Sequence, residues 1–249
     1  MIVDNAIYTD GRRTEPPPLE ETLQVCRERD GFAWISLYEP TEEDLDTIAQ
    51  DFGLHGLAVE DVIEAHQRSK LEHYGDSLFL VLKPAHYLEK PEAVEFSEVH
   101  VLLGRSFVLT VRHDRAPSLG AVRQRLESEP DLLRRGPAAV LYGVLDHIVD
   151  DYEPVVEELG NDIEEIEAEV FGERPDSSRR IYELSREVLA LRRAVHPLAG
   201  MLEHLTKENS FDADAEILRH LRDVHDHALR TAEQIDGFRE LLSNILNVN

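Results

Sequence analysis

The stretch from Asp212 to Asn249 constrains the fold of this chain more than any other. Its apolar residues Ile217, Leu221, Val224, Ala228, Ala232, Ile235, Phe238, Leu242 and Ile245 follow one another in steps of three or four. That spacing predicts one long amphipathic helix, because side chains three and four apart share a helix face. At about 1.5 Å per residue it would reach roughly 55 Å, longer than a small domain is wide. Such a helix needs long partners to cover its stripe. No glycine, Asn-Gly or proline stop follows the last apolar turn, so the helix is expected to continue beyond Asn249 in a longer protein.

The preceding residues supply the partners. Leu141, Leu145, Ile148, Tyr152, Val155, Leu159, Ile163, Ile166 and Val170 keep a near-heptad rhythm, with Pro154 expected to mark a kink or a fresh helix start. A turn is expected at Gly172-Glu173-Arg174-Pro175, then a returning helix carrying Ile181, Leu184, Val188, Leu191, Val195, Leu198, Leu202 and Leu205. Asn209-Ser210-Phe211-Asp212 reads as the next turn. Shorter helices are expected at Leu119–Leu126 and Ala138–Val149.

The first part of the chain has a different texture. Strands are expected at residues 2–8, Gly31–Tyr38, Leu71–Tyr74, Leu78–Leu82, Phe96–Leu103 and Phe107–Val111, from runs of β-branched and aromatic residues. Gly75-Asp76 and Gly104-Arg105-Ser106 are short turns, so the strands they join must be antiparallel neighbours. Helices are expected from Leu19 to Arg29, from an N-cap at Thr41 to a stop at Gly53, and from Leu57 to Ala65. The fold class is therefore α+β, with an α/β layered N-terminal domain ending near Arg112 followed by long antiparallel helices. The expected divisions are residues 1–115 for the layered domain, 116–171 for a helical segment and the first long helix, 172–211 for the returning helix and 212–249 for the terminal helix.

Lysine plus arginine number 26 against 51 aspartate plus glutamate, a formal net charge of −25. Such a surface argues against nucleic acid and anionic membranes as partners and favours cations. Cys26 is the only cysteine, so there is no disulfide framework and no thiolate zinc site, and a reducing compartment is the natural setting. No signal peptide is visible, and no run approaches the roughly 18 apolar residues of a membrane span. GxGxxG, P-loop, GxSxG and HExxH motifs are all absent, and the chain is not read as an enzyme.

Three carboxylate groups stand out: Glu60-Asp61 in a short helix, Asp150-Asp151 before Pro154, and Asp223 with Asp226 one turn apart on the terminal helix. Oxygen donors without thiolate suit Mg2+ or Ca2+ better than zinc. Each pair alone reads more readily as a solvated helix face or an N-cap. The acidic run Glu157-Glu158, Asp162, Glu164-Glu165, Glu167, Glu169 lies opposite the apolar stripe, as solvated faces do. His196, His204, His220, His225 and His227 cluster in the last two helices; polar packing between helices suits their irregular spacing better than zinc.

Taken together, several motifs resemble the cytosolic domain of the CorA family of magnesium and cobalt transporters. They are His55-Gly56-Leu57-Ala58-Val59-Glu60-Asp61-Val62, His66-Gln67-Arg68-Ser69-Lys70-Leu71-Glu72-His73-Tyr74, Leu78-Phe79-Leu80-Val81-Leu82-Lys83, Val149-Asp150-Asp151-Tyr152, Leu191-Arg192-Arg193-Ala194-Val195 and Arg222-Asp223-Val224-His225-Asp226-His227 with Phe238-Arg239. They fall in order along essentially the whole chain. Ser69 departs from the proline that many relatives carry.

The resemblance implies an α/β/α layered N-terminal domain, a willow-helix pair, a stalk helix leading into a first membrane span, and a homopentamer at the cytoplasmic face of the cell membrane. The residues of this chain form its soluble part, reaching the membrane only through spans beyond Asn249. The family's Gly-Met-Asn pore signature is not in the chain. The resemblance also implies divalent cations between subunits, held by Glu60-Asp61 on one and Asp223 on the next. Asp226 assists, and Asp150 or Asp151 serves a second cation. Mg2+ is the expected ion, with Co2+, Ca2+ or Zn2+ as alternatives, and occupancy is expected to favour the closed state. The competing readings are a zinc-transporting relative and, from another class, a soluble coiled-coil scaffold.

Overall fold

The computed structural model describes residues 1–172, 177–207 and 211–248. In chain order the first half comprises β1 (Ile2–Thr9), β2 (Arg12–Thr14), α1 (Leu19–Glu28), β3 (Gly31–Tyr38), α2 (Glu42–Phe52), α3 (Gly56–Glu64), β4 (Lys70–Tyr74), β5 (Ser77–Leu82), β6 (Ala85–Leu88), β7 (Ala93–Phe96), β8 (Glu98–Leu103) and β9 (Phe107–His113). The second half is helical: α4 (Gly120–Ser128), α5 (Pro130–Leu133), α6 (Pro137–Asp150), α7 (Tyr152–Phe171), α8 (Ser177–Leu205) and α9 (Ala215–Val248).

Seven strands form one sheet in the order β2-β1-β3-β9-β8-β5-β4. Its pairs are antiparallel except β3 with β9, which run parallel. Leu78–Leu82 and Val99–Leu103 are buried at every position. Continuous burial of this kind requires cover on both faces, and alternation supplies two cores. Phe79, Val81, Leu102, Leu109 and Val111 pack under α1, α2 and α3. Leu78, Leu80, Leu82, Val99 and Val101 face the helical half. The α/β/α layering expected from sequence is present.

Local chemistry sets the helix ends. Thr41 Oγ1 accepts the Asp44 N–H at 3.2 Å while the Asp44 carboxylate accepts the Thr41 N–H at 3.0 Å, a reciprocal capping box. Gly53 ends α2 in the left-handed region, φ 65°. Pro154 sits in the first turn of α7, where its missing N–H breaks no helical hydrogen bond, and Asp151 forms the joint with α6. Pro197, by contrast, lies inside α8. There it removes a hydrogen bond, yet the helix continues because Val195, Leu198 and Leu202 beside it are buried.

Several expectations are corrected. The strand expected at Phe96–Leu103 begins only at Glu98, because Phe96 ends a separate strand and the Ser97 N–H donates to the Pro84 carbonyl. That strand, β7, lies outside the seven-stranded sheet and pairs with β6 in a hairpin that packs on α7 and α8. The edge strand β2 and the short α5 carry too few residues to show a period. Cys26 belongs to a surface helix but points inward, fully buried, and burial pushes its thiol up to about 11 against a weaker opposing effect of Arg29. The turn expected at 172–175 lies, beyond Gly172, outside the described residues, as do Asn209 and Ser210.

The acidic face of α7 is solvated except at Asp162, which is buried and accepts the Tyr87 hydroxyl at 2.6 Å. Arg180 answers the charge there. It contacts Glu92 in the hairpin turn at 3.0 Å, and Glu165 and Glu169 on α7 at 2.9 and 3.2 Å.

The stripe of α9 meets α6, α7 and α8, and its members are buried apart from the half-buried Phe238. Phe238 reaches α7 because Gly160 faces it; a Cβ there would stand 3.3 Å from its ring.

Arg123 of α4 locks the helical half to the sheet. It is buried, stacks 4.0 Å over the Trp34 ring, pairs with Asp4 at 3.1 Å, and donates to the Tyr8 hydroxyl and the Trp34 carbonyl. Arg123→Ala removes the buried donor to the Trp34 carbonyl and the stack on its ring, while Asp4 keeps Arg13 and Tyr8 keeps Glu127, and a loss of about 2 kcal/mol is expected in urea unfolding. A loss below about 1 kcal/mol would show that the layers dock on apolar contact alone.

Candidate functional site

Helix α3 is short and amphipathic. His55 caps it, its Nδ1 accepting the Leu57 N–H at 3.2 Å, and the His55 ring stacks on Tyr74 of β4 at 4.7 Å. Ala58, Val59 and Val62 anchor it to the core. Consecutive helical residues diverge by about 100°. Glu60 therefore projects outward while Asp61 turns toward β4, where the Lys70 ammonium lies 2.6 Å from its carboxylate. On the solvent side Glu60 borders a concavity of about 420 Å3 shared with Glu42, Asp46 and Glu64, flanked by Ile63. Leu57 and Ile63 are exposed on the same helix.

Asp150, Asp151, Asp223 and Asp226 occupy the other end of the problem. Asp223 and Asp226 point away from the buried stripe of α9, and the Asp223 side chain is 73% exposed. His227, one turn on, has Nε2 at 3.9 Å from Asp223 and Nδ1 at 3.9 Å from Asp150 at the end of α6. The structure thus brings Asp150 and Asp223 to either side of one imidazole. Beside them runs a groove of about 630 Å3, lined by Asp150, Glu153, His227, Arg230 and Glu233. Asp151 turns the other way, toward His147 at 3.7 Å and a groove under the β6–β7 hairpin.

Burial, aided by the nearby Asp146 carboxylate, raises Asp150 above its usual range. Burial also raises Asp151, against the opposing pull of His147 and His86. Both charges are held at a cost that an added cation would relieve.

No described ion pair or hydrogen bond joins Glu60 or Asp61 to Asp223 or Asp226. Among the described residues, no three histidine, cysteine or carboxylate side chains gather closely enough to hold a metal ion. The donors fit a hard divalent cation in kind but form incomplete sets within one chain. The histidines disperse: His196 meets Asp236 at 3.3 Å, His220 stacks on Tyr142 at 4.7 Å and His204 meets the ring of His73.

Sequence reasoning missed a buried polar group under α3. Glu98 and His100 of β8 are essentially inaccessible and bonded to each other, and Lys83 also bonds Glu98. His113 lies across the ladder, its ring centroid 4.8 Å from that of His100. The polar-in-apolar pattern Glu98-Val99-His100-Val101 was the available signal. Burial alone would raise Glu98, but its bonds to His100 and Lys83 outweigh burial and bring it down to about 2. Burial, and then the neighbouring His100, lowers His113.

Residues 29–249 match the family model described as CorA-like Mg2+ transporter protein. The cobalt/magnesium transport protein CorA of Thermotoga maritima is 29% identical over 232 residues, covering 92% of this chain and 66% of that protein. The fold is similar to the soluble domain of CorA from Methanocaldococcus jannaschii, with a TM-score of 0.77 and 16% identity over 99% of this chain and 97% of that one. It also resembles the ZntB cytoplasmic domain from Vibrio parahaemolyticus, with a TM-score of 0.68 and 15% identity over 87% of this chain and 85% of that one. At such identity the structural likenesses speak to the fold alone. No helix among the described residues is long and apolar enough to cross a membrane.

Glu98 carries a pH signature with a fixed sign. A carboxylate held at about 2 instead of its usual 4.5 stabilises the fold above 4.5, and that stability is lost as pH falls toward 2. Glu98→Gln is expected to flatten the acid limb of the unfolding curve by on the order of 2 kcal/mol across that window. An unchanged acid limb would mean the pair is not ionic.

Proposed function

Because the chain belongs to the CorA-like Mg2+ transporter family, we propose that it is the cytosolic, divalent-cation-sensing part of a pentameric magnesium transporter. Cations bound between subunits favour its closed state. The observation that carries this reading is the incompleteness of each donor set: Asp223 and Glu60 stand exposed on outer faces, separate from each other within the chain. Carboxylates so placed gain further protein ligands, beside the waters that Mg2+ keeps, where two copies meet.

In this reading Glu60 and Asp61 of one subunit and Asp223 of its neighbour hold the cation, with Asp226 one turn away. Asp150, drawn to Asp223 through His227, serves a second cation more readily than Asp151, which faces the other groove. The exposed Leu57 and Ile63 flank Glu60 and belong to the same seam. The cation supplies positive charge; the chain supplies position. Each chain is formally −25, so copies repel most where their carboxylates approach. A ligand shifts an equilibrium only by preferring one state, and a site completed by two subunits exists only when they are close. Loss of cytosolic Mg2+ then lets the subunits splay and the gate open. The protein acts at the cytoplasmic face of the membrane and has no catalytic role.

The likeness to a ZntB domain supports a zinc-transporting alternative at the level of fold. The all-oxygen donor set favours Mg2+ instead, with Co2+ or Ca2+ as competitors.

Millimolar Mg2+ is expected to raise both the molar mass in solution and the melting temperature, the latter by about 5 °C or more at a hundredfold excess over Kd. Asp61→Ala and Asp223→Ala should each remove the response. If both variants respond like the parent chain, the sites are wrong; stabilisation by micromolar Zn2+ where Mg2+ does nothing would favour the alternative.

A further inference from the structure

Asp61 is not free to receive a cation, because it already has one. The Lys70 ammonium lies 2.6 Å from Asp61 and 3.3 Å from Glu72, so carboxylates from α3 and β4 converge on a single positive charge. That charge is partly shielded: the Asp61 side chain is 19% and the Lys70 side chain 25% exposed. Lys70 also lies over the Phe79 ring, 5.6 Å from its centroid.

The contacts close into a ring. Glu72 accepts the Tyr74 hydroxyl, Tyr74 stacks on His55, and His55 caps the helix that carries Asp61. The Tyr74 hydroxyl, with Lys70 helping and burial opposing, keeps Glu72 below its usual range and charged. Lys70 is therefore the counter-ion at the centre of the α3–β4 junction.

We propose that Lys70 is a tethered counter-ion that a divalent cation must displace from Asp61, and that this competition sets the cation affinity of the site. The inference rests on the reading of Asp61 as a cation ligand. An ammonium and a divalent ion cannot share one carboxylate cheaply, since like charges a few ångströms apart repel strongly in a partly desolvated setting. Binding therefore includes the cost of moving Lys70 aside. Once moved, the ammonium keeps Glu72 as a partner, so the exchange does not strand a charge. The effect is to hold the site insensitive to low cation concentrations. Arginine would restrain Asp61 in the same way; an uncharged side chain would not.

The test is a MgCl2 titration at constant ionic strength, read by melting temperature, on the parent chain, Lys70→Met, Lys70→Gln and Lys70→Arg. The uncharged variants are expected to reach half-maximal stabilisation at about tenfold lower Mg2+, the change expected when one competing charge is removed. Lys70→Arg should show no such gain. A purely structural lysine predicts the opposite sign, because losing it would unseat α3 and weaken binding.

The parent chain gives a second readout that needs no variant. Mg2+ should shift the 15N NMR resonance of the Lys70 ammonium in the selectively labelled parent chain, as its Asp61 partner is lost. If the parent responds to Mg2+ while the uncharged variants bind no more tightly, or the Lys70 resonance does not move, this inference falls and the cation-sensing reading stands. If the parent shows no Mg2+ response at all, both fall.

Discussion

The apolar stripe of α9 has to be covered along some 50 Å of helix, and most of the helical half answers that demand. Helices α6, α7 and α8 line up beside it and bury Ile217, Leu221, Val224, Ala228 and Ile235 completely or nearly so. With that face fixed, the opposite face is fixed too. Asp223 and Asp226 must point outward, and His227 must fall next to the end of α6. The candidate cation residues of α9 are where they are because the apolar ones are where they are. The same core continues without interruption into one face of the sheet, so a shift of α9 against its partners would be felt where the sheet meets the helices.

The second organising force is an excess of negative charge. With 26 basic residues for 51 acidic ones, four of the less exposed basic side chains stand at junctions between elements. Arg123 joins helix to sheet, Arg180 joins the β6–β7 hairpin to α7 and α8, Lys83 meets the buried Glu98, and Lys70 joins α3 to β4. Each sits where two or more carboxylates or a buried acceptor meet, which is where one positive charge lowers the energy most. Helices α2, α3 and α7 carry acidic side chains and no lysine or arginine of their own. A surface of that kind awaits counter-ions, and the proposed role turns that need into a signal.

Much of the architecture was legible in the residues. Thr41 and Gly53 bounded α2 because a capping hydroxyl and a left-handed terminus act over three or four residues. The steps of three and four placed α7, α8 and α9 because helical period is a local property. The strand run at Phe96–Leu103 was misjudged because its composition is continuous while its pairing is not. Phe96 belongs instead to the β6–β7 hairpin, which packs on α7 and α8. Pro197 should by local rules end a helix, yet contacts from elements far along the chain hold it open.

The sequence by itself determined the layered class, the long helices and which carboxylates stand out, since composition, period and capping are written in neighbouring residues. Only the tertiary structure decided what those carboxylates face. Asp61 meets a lysine nine positions on, Asp223 shares an imidazole with Asp150 from another helix, and Glu60 meets solvent. Adjacent residues such as Glu60 and Asp61 differ in fate by a rotation of about 100° about one helix axis. What lies along each of those directions is set by elements that fold in from elsewhere.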